Sequence, residues 1–565
     1  MPGQGFARRA VTGVVRRWKQ RRARGCRAGV VDHTVPTALT AGEICGVRVE
    51  LQNNGDSPWS TQNGGAQLHV SLDGALVAAI ALPRARVAPG ERVTFHFALA
   101  APDSAGAYAL ASTLAQPAIP HVTALPELSR VLDVSPAPDS NATRAFATMV
   151  RHNMWHYLPT SGISRGRRGH PYPQFIARAK GAQVWDADGH EFVDYTMGWG
   201  ASLLGHADDR IQQAIAGALH TAPLAPFPDP IEMDVTRMLL EDFGGEMVVF
   251  GKNGSDVCTL AARLARLATG RRQILSCGFH GWQDFSLGHL GFAGTGVPDA
   301  AEPAFHKFRF NDLASFSSAF AQHRRDLAAV MIEPAGPHAD DEGGLEGEPD
   351  PDFLAQVAQM ARSAGALVIY DEIMTGYRYP GGSVQKALGE QPDLTCLGKA
   401  LASGMPLAAL VGRTRRFHEL MARTRYCPTF KAEVYSLAAA RAAIPIYRSE
   451  PVAARIAAVG TTMKHAIDRA CVEAGLAASC RGPAFRFQLT FDDRDPYRRR
   501  LKRTLYFQRL LEERTITVTG VMLPSYAHTD AIVERSVEAI GRVIGSIAAA
   551  DRAGTLEGAI DIPLL

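Results

Sequence analysis

No apolar run in these 565 residues approaches the roughly 20 needed to cross a bilayer as a helix, so a membrane span is not expected. Cysteine is scarce: eight residues, scattered, with no Cys-x-x-Cys pair. That pattern argues against a zinc site or a disulfide framework and for reduced thiols in the cytosol. No histidine spacing supports a metal. The acidic stretch Asp340-Asp341-Glu342 reads as a solvated loop. Residues 1–28 carry nine basic side chains and no acid, and they lack the apolar centre of a signal peptide. The whole chain is only +4, so its basic character belongs to this tail. The tail reads as a flexible solvated arm; contact with nucleic acid or anionic lipid is the alternative. Nothing else suggests nucleic-acid binding, and there are no internal repeats.

A chain of this length with 46% hydrophobic residues supports roughly two to four domains. Residues 29–135 read as β. Val47, Val49 and Leu51 alternate with polar neighbours, as do Leu68, Val70 and Leu72, then Val93, Phe95, Phe97 and Leu99, and then Tyr108, Leu110 and Leu114. Turn clusters such as Asn53-Asn54-Gly55-Asp56 separate them. Period-two strands at this spacing predict a β-sandwich. Trp59 is either a core residue or a platform for a sugar. Residues 136–150 lie in a stretch rich in Pro, Ala and Ser and read as a linker. From 151 to 565, strands and helices alternate. Leu354, Val357, Ala358 and Ala361 mark a helix face, Gly365 ends it, and a strand follows over 367–370. This is the rhythm of an α/β fold with a mainly parallel sheet.

In such sheets, ligands bind beyond the carboxyl ends of the strands. Five apolar runs here end in chemically useful residues. The run 247–250 leads into Gly254 and Ser255, with Ser255 as expected N-cap of the next helix; their amides and the helix dipole suit a phosphate. The run 274–277 leads to Phe279, an aromatic suited to a planar ring, and to His280, either a base or a hydrogen-bonded structural histidine. The run 329–332 ends on Glu333, which could bind a hydroxyl or steer an amine. The run 367–370 ends on Asp371, and Ile373 follows on the same side of an extended chain. The run 394–397 ends on Gly398 and Lys399. An amine for an imine and a carboxylate that keeps a pyridine nitrogen protonated are the minimum equipment for pyridoxal 5'-phosphate (PLP) chemistry.

These blocks resemble the class III PLP-dependent aminotransferases, and within them the glutamate-1-semialdehyde aminomutase branch. The matching runs are 181–189, Lys252-Asn253-Gly254-Ser255-Asp256, Gly278-Phe279-His280-Gly281-Trp282, Asp371-Glu372-Ile373-Met374-Thr375-Gly376-Tyr377-Arg378 and Gly398-Lys399, within a resemblance covering about 179–549. It implies PLP fold type I, with a large domain over about 205–445, a small domain from the flanking segments, and a homodimer with shared active sites. It implies Lys399 as the Schiff-base lysine, Asp371 as partner of the pyridine nitrogen and Glu333 as the glutamate near the cofactor. It also implies Gly254 and Ser255 at the phosphate, Phe279 on the ring, and Thr429 reaching the phosphate across the dimer interface. The loop 161–170, with Arg165, Arg167 and Arg168, takes the substrate-contacting position, and Trp199 is a further pocket residue. Asn253-Gly254-Ser255 and Lys431-Ala432-Glu433 look like the mutase-like aminotransferases of surface-polysaccharide and secondary-metabolite pathways. The region 29–135 is similar to immunoglobulin-like domains of polysaccharide-related proteins, which implies a glycan contact.

The expected activity is amino transfer from an amino acid donor to an aldehyde or ketone, sugar-linked or small. The alternatives are an intramolecular aminomutase and a binding or scaffold protein with a degenerate aminotransferase body.

Overall fold

The computed structural model describes residues 27–40, 44–60, 66–83, 86–102, 105–115, 122–135, 176–187, 189–283, 304–337, 344–518 and 520–560. Nearly all of the basic tail, the linker, the loop carrying Arg165, Arg167 and Arg168, and the acidic stretch 340–342 lie outside the described residues.

The first region is built from strands, as the alternation requires. Ala28–His33, Ile44–Asn53 and Arg92–Ala100 form one antiparallel sheet. A second sheet runs in the order Ala38–Thr40, Arg130–Ser135, Gly106–Ala115, Gln67–Leu72 and Ala75–Ala81. Side chains from both sheets, among them Val49, Leu51, Phe95, Leu68 and Leu114, close one core. Trp59 is fully buried in that core, so it is no sugar platform. Thr94 ties this region to the C-terminal end of the chain, donating from Oγ1 to Glu557 at 2.7 Å.

The body of the chain is a seven-stranded sheet. Its strands are β1 (Met247–Gly251), β2 (Gln273–Cys277), β3 (Phe305–Lys307), β4 (Leu327–Ile332), β5 (Leu367–Asp371), β6 (Leu394–Leu397) and β7 (Ala408–Gly412). Their spatial order is β1-β7-β6-β5-β4-β2-β3. Only β7 runs antiparallel to its neighbours. The central strands are mostly apolar and buried, as expected where helices cover both faces. Among these helices are α1 (Gly254–Thr269), α2 (Pro351–Ser363) and α3 (Val434–Ser449). The α2 helix begins at an Asp350 cap and buries Phe353, Leu354, Val357, Ala358 and Ala361 against the sheet, matching the periodicity of its sequence.

Two smaller sheets flank this body. One joins Ile176–Lys180, Gln183–Asp186 and Glu191–Asp194 to Thr515–Ile516, so segments from both sides of the large sheet meet. The other is formed by Ala478–Arg481, Phe487–Phe491 and Val521–Met522. Among the described residues, no helix is long and apolar enough to cross a membrane.

Candidate active site

Strands β1, β2, β4, β5 and β6 all point the same way, so the five residues or loops that follow them share one edge of the sheet. Lys399 opens a 3-10 turn, Lys399–Ala402, directly after β6. Its φ is +40°, a left-handed conformation that costs a non-glycine residue energy and is held here by the surrounding structure. The residue's surface is only partly covered, yet its amine is enclosed. That enclosure, reinforced by the Arg486 and Arg378 cations and opposed by Glu333 and Asp371, lowers its pKa to about 8. The amine is therefore easily made neutral and nucleophilic.

Asp371 ends β5 and is buried. Its Oδ2 accepts from Nδ1 of His280 at 2.8 Å and from Sγ of Cys258 at 3.4 Å. Its Oδ1 accepts the Ile373 N–H at 3.1 Å. Both oxygens of the carboxylate are thus held in place by donors from three different segments. His280 is thus the hydrogen-bonded histidine of the two sequence readings. It is buried against Asp371 rather than lining an open substrate surface. Its other nitrogen, Nε2, is buried and has no partner among the described residues. Ile373 is wedged at the start of α1: a Cβ on Gly254 would meet its Cδ1 at 2.4 Å.

The N-cap of α1 is Asn253, not Ser255. Its side chain accepts from the Asp256 N–H while the Asp256 carboxylate accepts the Asn253 N–H, a complete capping box. Both residue types cap well, but only Asn253 has an acid three positions on. Gly254 and Ser255 become the first two helical residues. Their N–H groups have no acceptor among the described residues, which makes the anion site two residues earlier than a Ser255 cap would. Ser255 Oγ accepts the Trp282 N–H at 3.4 Å. Gly281, at φ +108°, allows this approach, since a Cβ there would lie 2.3 Å from that oxygen.

Glu333 follows β4 and is buried. It accepts from Arg486 Nη1 at 2.5 Å and from the Phe279 N–H at 3.4 Å. Arg486 was not predicted from sequence. Its signal is a lone cation between Phe485 and Phe487 at the start of a buried strand. Arg378 is a second buried cation, and burial pulls its pKa down to about 10. It donates to the carbonyls of Met374 and Gly200. The latter contact fixes the left-handed run that carries Trp199, whose side chain is about half exposed.

Other expected residues are not drawn together by this chain alone. Thr429 is exposed on a turn beyond the helix Arg416–Thr424, and Phe279 is 46% exposed. Just past that turn Glu433 caps α3 and pairs with Lys252 at 2.8 Å.

This donor set fits PLP: an amine of lowered basicity, a buried carboxylate for a ring nitrogen, and open helix N–H groups for a phosphate. No group of three or more His, Cys, Asp or Glu side chains suited to a metal occurs among the described residues.

Comparison with known proteins agrees. The aminotransferase class-III family model matches residues 165–482. The chain is 30% identical to the 2'-deamino-2'-hydroxyneamine transaminase of Streptomyces kanamyceticus, over 68% of this chain and 96% of that protein. It is 29% identical to the glutamate-1-semialdehyde 2,1-aminomutase of Thermomicrobium roseum, over 66% of this chain and 92% of the relative. An omega-transaminase from Sphaerobacter thermophilus superimposes with a TM-score of 0.63 at 25% identity, covering 73% of this chain and 98% of that one. Over half of the chain matches the family model, and the match includes all five of these strand ends; the protein belongs to the class-III aminotransferases, which are PLP-dependent enzymes of fold type I.

Proposed function

We propose that the enzyme moves nitrogen from a carboxylate-bearing amino acid donor to an aldehyde or ketone acceptor. The observation that carries this reading is the buried Arg486 within electrostatic reach of Lys399. A planar guanidinium there suits a donor carboxylate, with Glu333 as its counter-ion when no donor is bound. When bound, PLP supplies the electron sink for breaking a bond at the substrate carbon. Lys399, neutral above about pH 8, takes and returns a proton at its Nζ. Asp371 would hold the proton on the ring nitrogen, His280 and the Ile373 N–H orient that carboxylate, and the Gly254 and Ser255 amides would hold the phosphate. Ile373 and Phe279 would contact the ring.

Phe227, Trp282 and Phe430 are highly exposed aromatics, and Thr429 stands beside Phe430. We read these residues as covered by a second copy, whose Thr429 completes the phosphate site of its partner. The region 29–135 is read as an accessory module with a glycan contact, and the six free cysteines among the described residues are consistent with a cytoplasmic enzyme.

The aminomutase relatives favour a second reading, intramolecular nitrogen transfer. Absorbance of the PLP-loaded enzyme separates the two. Bleaching by one added amino acid and recovery with a separate carbonyl acceptor supports the transferase. Isomerisation of a single compound without donor turnover overturns it.

A further inference from the structure

Cys258 lies in the second turn of α1, the helix whose first residues are Gly254 and Ser255, and it is fully buried. Its thiol donates to Oδ2 of Asp371 at 3.4 Å, within reach of a sulfur donor. That oxygen also accepts from His280, and the other oxygen accepts from Ile373. The three donors come from three places: the helix after β1, the loop after β2 and the turn after β5. Cys396 pairs with Asp371 across β5 and β6, and its sulfur lies beside that of Cys258. The Cys396 contact, burial and the Asp371 charge hold the Cys258 thiol well above its ordinary pKa, so it keeps its proton and remains a donor.

Buried cysteines commonly serve only as small packing residues. This one spans two anchors of the same rigid cofactor. Its helix presents the N–H groups for the phosphate at one end, and its sulfur grips the acid for the ring nitrogen one turn later.

We propose that Cys258 is a positioning residue for Asp371, fixing the distance between the phosphate-binding helix terminus and the carboxylate that serves the ring. The inference rests on the reading that Asp371 faces the ring nitrogen. Without the thiol proton, Asp371 keeps two donors but loses its tie to α1, so the ring nitrogen holds its proton less firmly.

The test uses the full chain loaded with PLP and compares Cys258→Ala, Cys258→Val, Cys258→Ser and Asp371→Asn. Two quantities are read: the PLP dissociation constant and the pH midpoint of the bound cofactor's visible band. Alanine and valine are expected to weaken PLP binding about fivefold and to move the midpoint upward by about half a pH unit, the size of one modest hydrogen bond. Serine, which restores a donor, is expected to stay within about twofold of the parent, and Asp371→Asn to exceed both changes. Valine fills the site without a donor, so it gives the answer if alanine fails to fold. The proposal is overturned if alanine and valine match the parent while Asp371→Asn does not. It is equally overturned if serine is as impaired as alanine, which would mark a packing role. An unaltered Asp371→Asn would instead remove the underlying reading of Asp371, and this proposal with it.

Discussion

Arg486 and Glu333 form an ion pair, Nη1 to Oε1 at 2.5 Å, in which both side chains are almost wholly enclosed. It joins the end of β4 to a small sheet that follows the large one by more than sixty residues. An enclosed pair of this kind gains little net stability, but losing one partner is costly because the other charge stays buried.

Arg486→Met should therefore destabilise the protein by about 3 kcal/mol, and Glu333→Gln added to it should recover much of that loss. Urea unfolding of the two variants and the parent checks this. Equal stability of the single and double variants would mean the charges are not coupled.

The same pair tunes Lys399. Its pKa is lowered to about 8 by burial first and by Arg486 next. The amine must be neutral to capture PLP, so the capture rate of the apoenzyme should rise with pH through a midpoint near 8. Removing the Arg486 cation relieves a repulsion on the ammonium and should move that midpoint upward, while Glu333→Gln removes an attraction and should move it downward. Rates of colour formation against pH measure both.

Gly254→Ala should weaken PLP binding by about tenfold. The new methyl would meet Ile373 Cδ1 at 2.4 Å and push the helix start away from Ile373. Ile373→Val in the same chain should restore part of the affinity, as a PLP titration of the single and double variants would show.

Acid should unfold the protein partly through His528. It stacks on Tyr195 with centroids 4.2 Å apart and is fully buried. Burial depresses its pKa from 6.5 to about 4. A depressed histidine binds fewer protons folded than unfolded, so its contribution is constant above about pH 6.5 and stability falls as pH drops from there towards 4. The loss is at most about 3 kcal/mol. His528→Gln should flatten the dependence between pH 4.5 and 7 in chemical denaturation, although its stability at pH 7 is lower.

The strand-end residues were legible because each sits where a local apolar run stops, and parallel pairing brings such ends together whatever the details of packing. Asp371, Lys399, Glu333 and His280 all followed from that rule. The helix of Gly254 was legible too, but its cap shifted by two residues because Asn253 and Ser255 are both good caps and the decisive acid is Asp256. Arg486 escaped because its partner is 153 residues away in sequence and no local pattern announces a tertiary ion pair. Cys258 escaped for a similar reason: a cysteine in an apolar helix face looks like packing until its neighbour across the sheet is known. Trp59 had two readings from composition, and only its enclosure between two sheets decided for the core.

Every role proposed above depends on covalent attachment of PLP to one amine. Reduction of the PLP-loaded enzyme with borohydride, followed by digestion and mass mapping, tests it directly. A single label is expected on the peptide containing Lys399, absent from Lys399→Ala. A label on any other lysine, or a yellow protein that yields no labelled peptide, would contradict it.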